Sequence, residues 1–187
     1  MKMTRKLFLL FGLAVLGLAV TPQVRAQSAV NDKESARVFV QKFYDWYTAT
    51  SIARNPARKD QPSPEATVMK QQKKYFDTRL GKALSRYYNT PSKDDDIGLD
   101  FDPFLNAQDD GPSYRACNVS QKGDIFKVEL RDIKKRQSEK TFSKADLLLI
   151  VELKKTNSQW VFTNFIYPFK EGDMNLLTLL KNQKKVS

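Results

Sequence analysis

Histidine is absent from this sequence, cysteine occurs once, and glycine occurs seven times. Without histidine, the chain lacks the commonest general base, the Ser-His-Asp and Cys-His catalytic arrangements, and every histidine ligand for a metal. The few glycines form no phosphate-binding loop, so we predict that the protein works without a nucleotide or any other cofactor. These absences exclude a histidine-based triad and a histidine metal site.

The single cysteine, Cys117, cannot form a disulfide within the chain, so the fold must depend on its apolar core. Free cysteine is among the most buried residue types, and Cys117 falls in a predicted strand. We therefore interpret it as a small buried side chain. A reactive thiol or a disulfide between two chains is the alternative.

The one long apolar run, residues 7–20, follows a basic N-terminus. Its length of about 14 residues is short of the ~20 that a membrane-spanning helix needs. Small residues at the spacing of a cleavage site lead up to Ala26. This order predicts a signal peptide over residues 1–26, and then a single α+β domain over 27–187. We expect that domain to be periplasmic or secreted, without a stable membrane anchor.

The formal net charge of +11 falls to +7 when the predicted leader, with its four basic residues and no acid, is removed. Such an excess can attract nucleic acid or another anionic surface. Here the charges are spread along the chain, and export separates the protein from nucleic acid. We therefore predict a solvated basic surface and no nucleic-acid partner.

Apolar residues at three- and four-residue steps predict two helices in the first half of the chain. The first runs from Ser35 to about Thr50, behind a frayed polar segment over residues 27–34. The second begins at Pro64, because Ser63 is a capping residue and proline is favoured at the first helical position. Its apolar period continues to about Tyr88.

Apolar and polar residues alternate in the second half, which is typical of strands with one buried face. The predicted strands cover residues 114–120, 125–133, 145–153 and 160–167, and a short helix over 174–180 ends the domain. Helices followed by strands indicate an α+β fold. We expect the N-terminal helices to pack on one side of a curved antiparallel sheet of about four strands.

An acidic loop separates the helices from the strands, with seven aspartates between Asp94 and Asp110. Calcium prefers several oxygen ligands, but the spacing does not match an EF-hand. We interpret Asp94–Asp96 as a solvated turn and predict no metal site.

Residues 99–109, Leu-Asp-Phe-Asp-Pro-Phe-Leu-Asn-Ala-Gln-Asp, resemble the signature of a family of small exported bacterial proteins of unknown function. Residues 39–47 and 159–167 are similar to that family too. The resemblance implies a nuclear-transport-factor-2-like cone, in which helices cover the concave side of a bent sheet and leave a pocket. Enzymes of that superfamily commonly use an Asp-His pair, which this chain cannot supply. Because the fold hosts many functions, it does not select one.

The resemblance directs attention to a pocket, and a few polar groups at a pocket rim orient a ligand. The ligand contacts that we predict are Tyr44, Gln108, Asp109, Tyr114 and Trp160. We expect a non-catalytic domain that binds a small ligand or a protein segment. The alternative is an acid/base hydrolase or isomerase that uses Asp100, Asp102 or Asp109, since two close carboxylates can divide acid and base roles. Structural turn-forming roles for Asp100 and Asp102 are favoured over catalysis.

Association is a further prediction, because domains of this superfamily often dimerise through the outer sheet face. Alternate residues Ile150, Glu152 and Lys154 would lie on that face. The polar residues of this set argue against a large apolar interface.

Overall fold

The computed structural model describes residues 22–53, 61–89, 99–107, 113–133 and 146–182, with side chains from Asn31 onward. The predictions for Asp94–Asp96 and for Gln108–Asp110 therefore lie outside the described residues. The helices are α1 (Pro22–Ala53), α2 (Pro64–Gln71), α3 (Thr78–Asn89) and α4 (Leu176–Asn182). The strands are β1 (Tyr114–Lys122), β2 (Ile125–Asp132), β3 (Leu147–Thr156), β4 (Gln159–Tyr167) and β5 (Met174–Asn175).

The fold is α+β. Within the described ranges, the strands form one antiparallel sheet of five strands in the order β1-β2-β3-β4-β5. The additional strand, β5, pairs only two residues with the end of β4. A two-residue strand is too short to show alternation, which explains why this segment was predicted as helix.

Helix α1 is longer than predicted, and the frayed segment expected over residues 27–34 is wrong, because that segment is helical. Contacts with the sheet hold its exposed polar side chains. Asp32 pairs with Lys155 of β3, and the indole Nε1 of Trp160 donates to Ser35 Oγ at 3.1 Å.

The predicted cleavage after Ala26 stays a prediction. No helix in the part of the chain described here is both long and apolar enough to cross a bilayer.

The single helix predicted from Pro64 to Tyr88 is wrong as well, since two α-helices and a short 3₁₀ helix (Lys73–Tyr75) between them occupy that stretch. The predicted start is confirmed: Ser63 Oγ accepts the backbone N–H of Ala66 at 3.2 Å. The break falls at Phe76, whose extended backbone bridges Phe162 of β4. Asp77 then caps α3 by accepting the N–H of Leu80 at 2.8 Å. Burial of the Phe76 ring against β4 outweighs the uninterrupted helical period.

The four predicted strands are confirmed, and they form two hairpins, β1–β2 and β3–β4, each with a two-residue loop. The β1–β2 loop places Gly123 at φ +62°, a backbone conformation that glycine adopts without strain. Asn157 and Ser158 between β3 and β4 both have positive φ, as a type I′ turn requires. The turn chemistry therefore sets the register of both hairpins.

A β-bulge interrupts the β3–β4 pairing. Glu152 pairs with Asn164, but Leu153 pairs with Phe162, so Thr163 is the extra residue. Bulges turn side chains in new directions and occur often next to functional sites. Here the bulge puts Thr163 and Asn164 together on the face opposite the core.

The core lies between the helices and the inner face of the sheet. Phe104 is its centre, fully buried, with its ring centroid 5.3 to 6.1 Å from those of Phe43, Tyr47, Phe76 and Phe165.

Cys117, by contrast, is half-buried in β1. Burial raises the pKa of its thiol, so the unreactive protonated form is favoured.

Candidate functional site

The loop at residues 102–107 inserts Phe104 into the core, and tyrosine hydroxyls hold it there. Within the described ranges, four tyrosines from three elements donate to this loop: Tyr44 to Phe104 O at 2.8 Å, Tyr47 to Asp102 Oδ2 at 2.6 Å, Tyr114 to Leu105 O at 2.7 Å, and Tyr167 to Pro103 O at 2.8 Å. Burial raises the pKa of each of these hydroxyls, so they stay protonated and keep donating. The loop is therefore part of the core rather than a movable rim.

Asp102 is the loop's charged residue. Burial raises the pKa of its carboxyl to about 6, although hydrogen bonds from Tyr47 and from the backbone act to lower it. Oδ1 accepts the N–H groups of Phe104 at 2.8 Å and of Leu105 at 3.2 Å, and Oδ2 accepts the Tyr47 hydroxyl. A pKa near working pH suits acid/base catalysis. Both oxygens are nevertheless occupied by groups that hold the loop.

The other predicted site residues are scattered. Asp100 is exposed, beside the loop but outside its hydrogen-bond network. Tyr44 and Tyr114 are buried next to each other, with ring centroids 5.3 Å apart and hydroxyls bonded to backbone carbonyls. Trp160 packs on Phe126, 4.9 Å between ring centroids, rather than on the loop. The structure thus brings together Asp102, Tyr44 and Tyr114, and it uses their polar atoms internally.

A groove of about 400 Å³ lies on the other side of the sheet. Its lining comes from the start of α3, the middle of β3, the bulge in β4, β5 and the start of α4, with the residues Asp77, Arg79, Ile125, Glu152, Lys154, Thr163, Asn164, Asn175, Leu177 and Thr178. We call it the outer groove. Its lining is mostly polar and carries charges of both signs.

Each carboxylate of the outer groove already has a cation. Glu152 pairs with Lys127 of β2 at 2.9 Å, and Asp77 lies 3.8 Å from Lys154 Nζ. Arg79 is exposed at the start of α3 and forms no ion pair with any described residue. The groove and its flanking Lys127 therefore have one positive charge in excess.

The hydroxyl of Thr163 is the unusual polar group of the groove. Its Oγ1 is buried without a hydrogen-bond partner, and no other described residue has a buried side-chain polar atom in that state. Leaving a buried hydroxyl unbonded costs about 1–3 kcal/mol. The neighbouring Asn164 is engaged, since its Oδ1 accepts the N–H of Leu177 at 3.3 Å.

Sequence reasoning missed this groove because its parts come from four distant segments of the chain. One local signal was available. Thr163 and Asn164 are two successive polar residues inside an otherwise apolar strand, and such a break in alternation indicates a bulge. As for metals, no group of three or more acidic or cysteine side chains that could hold one lies within the described ranges.

Comparison of the chain with models of known protein families, with curated proteins and with solved structures gave no match.

Proposed function

We propose that this chain is an exported, non-catalytic binding domain with a nuclear-transport-factor-2-like cone, and that the outer groove is its ligand site. The observation that carries the proposal is the unpartnered Thr163 hydroxyl in the groove wall. A buried polar group without a hydrogen-bond partner calls for an explanation, and a polar group bound beside it is one such explanation. A χ1 rotation of about 120° exchanges the threonine hydroxyl and methyl without moving the backbone. A polar ligand in the groove can therefore satisfy this hydroxyl.

The carboxylates support a non-catalytic role. A general base must come within hydrogen-bond reach of the proton that it removes. Asp102 accepts three hydrogen bonds from the groups that hold the loop, and Asp100 is exposed to solvent. The acid/base alternative would have to depend on Asp109, outside the described residues.

The proposed fold family and the proposed export are supported by the order of helices and strands along the chain and by the predicted signal peptide. Three helices precede an antiparallel sheet and cover one of its faces, as a nuclear-transport-factor-2-like cone requires. Residues 99–109 resemble the signature of a family of exported proteins, and residues 1–26 have the order of charged, apolar and small residues that is typical of a signal peptide.

The test is protein-observed NMR on the ¹⁵N-labelled protein, exported by cells that express the full chain. A panel of sugars, amino acids, polyols and organic acids is titrated singly. We expect at least one compound to shift the amide signals of Thr163, Asn164 and Leu177 saturably. Shifts confined to other surfaces, or no saturable shift across the panel, would contradict the proposal.

A further inference from the structure

We infer that the ligand of the outer groove is a small hydroxylated carboxylate, such as a sugar acid, with Arg79 binding its carboxylate and Thr163 one of its hydroxyls. This inference rests on the proposed function and specifies the ligand class for the same site.

The charge of the groove indicates an anion. Asp77 is engaged by Lys154 and by the N–H of Leu80, and Glu152 is engaged by Lys127. Neither carboxylate is therefore left to attract a cationic ligand. Arg79 remains as the positive charge without a counter-charge in the described part of the chain. Its planar guanidinium matches a carboxylate with two parallel hydrogen bonds.

The balance of charges in the groove also favours a carboxylate over a phosphate as the anionic group of the ligand. A phosphate monoester carries about −1.5 to −2 charges at neutral pH. Counted with its flanking Lys127, the described part of the groove has one cation in excess, which matches one carboxylate. A second negative charge would lie close to Asp77 and Glu152 without a cation of its own.

Hydroxyl groups on the ligand are indicated by the rest of the lining. Thr163 Oγ1 can both donate and accept, so a ligand hydroxyl satisfies it in either direction. No aromatic ring among the described residues lines the groove, so these residues offer a flat aromatic ligand no stacking partner. Ile125 and Leu177 provide apolar contacts for a short carbon skeleton. The volume of about 400 Å³ is near the small end of ligand pockets, which run from about 300 to 1,000 Å³.

The experiment compares galacturonate with galactose, which has the same ring and hydroxyls but no charge, on the exported full-length gene product. We expect galacturonate to shift the Thr163 and Asn164 amides and to bind at least tenfold more tightly than galactose. Arg79→Gln should reduce galacturonate binding at least tenfold and abolish the difference between the two sugars. Lys70→Gln is the matched control, since it removes one exposed charge on α2 away from the groove.

Each other outcome overturns the inference in a distinct way. Equal binding of the two sugars would refute the prediction that the groove recognises a carboxylate, but it would leave the proposed function intact. Tighter, Arg79-dependent binding of inorganic phosphate would refute the ligand class. If neither sugar shifts the groove amides, or if Arg79→Gln has no effect, the inference is wrong. The proposed function is then judged by the wider panel.

Discussion

At the scale of single residues, burial and hydrogen bonding act in opposite directions on the Asp102 carboxyl. The group is faced by Tyr47 from α1, Glu65 from α2, Tyr88 from α3 and Tyr167 from β4. Burial dominates, and Glu65 adds to it, so the pKa is about 6 rather than the 3.8 of a free carboxyl. Protonation therefore stabilises the folded state. That stabilisation is complete below about pH 4 and is lost as the pH rises through 6.

Asp102→Asn should keep the loop bonded without a charge to bury, with its Oδ1 accepting the two backbone N–H groups and its Nδ2 donating to the Tyr47 hydroxyl oxygen. We expect the variant to have a higher free energy of unfolding than the native chain at pH 7.5, by about 2–3 kcal/mol from the shift of about two pKa units. At pH 4 the two should be equal, because Asp102 is then protonated. Urea denaturation at both pH values measures the difference.

Asp100→Asn, at an exposed position two residues away, is the matched control and should follow the native chain. If Asp102→Asn is no more stable than the native chain at pH 7.5, the carboxylate is not disfavoured by burial.

At the scale of elements, the loop at residues 102–107 acts as part of the core because of Phe104. The side chain is fully buried among aromatic rings. Phe104→Ala should lower the free energy of unfolding by about 3–5 kcal/mol, the usual loss for a buried phenylalanine. The midpoint of urea denaturation is the measurement.

Phe169→Ala provides the comparison, because this phenylalanine is 44% exposed. Its loss should be under about 1 kcal/mol. Similar losses in the two variants would mean that the loop does not fill the core between the helices and the sheet.

Elements with local signals were predictable from sequence, and those decided by distant contacts were not. The Asn157-Ser158 turn and the Ser63 cap depend on residues next to each other, so their chemistry was visible in the chain. The break at Phe76 depends on Phe162, far along the sequence, and it opposed the local helical period. The outer groove depends on a bulge and on four segments of the chain. The polar pair Thr163-Asn164 was therefore its one local signal in the sequence.

At the scale of the whole molecule, the two faces of the sheet have opposite character. The inner face holds the aromatic core, and the outer face carries ion pairs, among them Lys127–Glu152 at 2.9 Å and Arg131–Glu129 at 2.6 Å. The partly exposed Lys127–Glu152 pair adds little stability, about 0–1 kcal/mol, whereas the Arg131 side chain of the other pair is buried. Dimerisation through Ile150, Glu152 and Lys154 stays a prediction, and these pairs favour a solvated surface there.

Thr163→Val shows whether the Thr163 hydroxyl serves a ligand, because it removes the unpartnered hydroxyl and keeps the shape of the side chain. If the hydroxyl serves a ligand, the variant should lose the saturable NMR response of the groove. Its free energy of unfolding should lie between unchanged and about 3 kcal/mol higher, since the cost of the unbonded hydroxyl is removed and no bond within the protein is lost. Thr156→Val, at an exposed position of β3, should keep both the response and the stability. A Thr163→Val variant that binds normally, or that is destabilised by more than about 1 kcal/mol, would contradict the account.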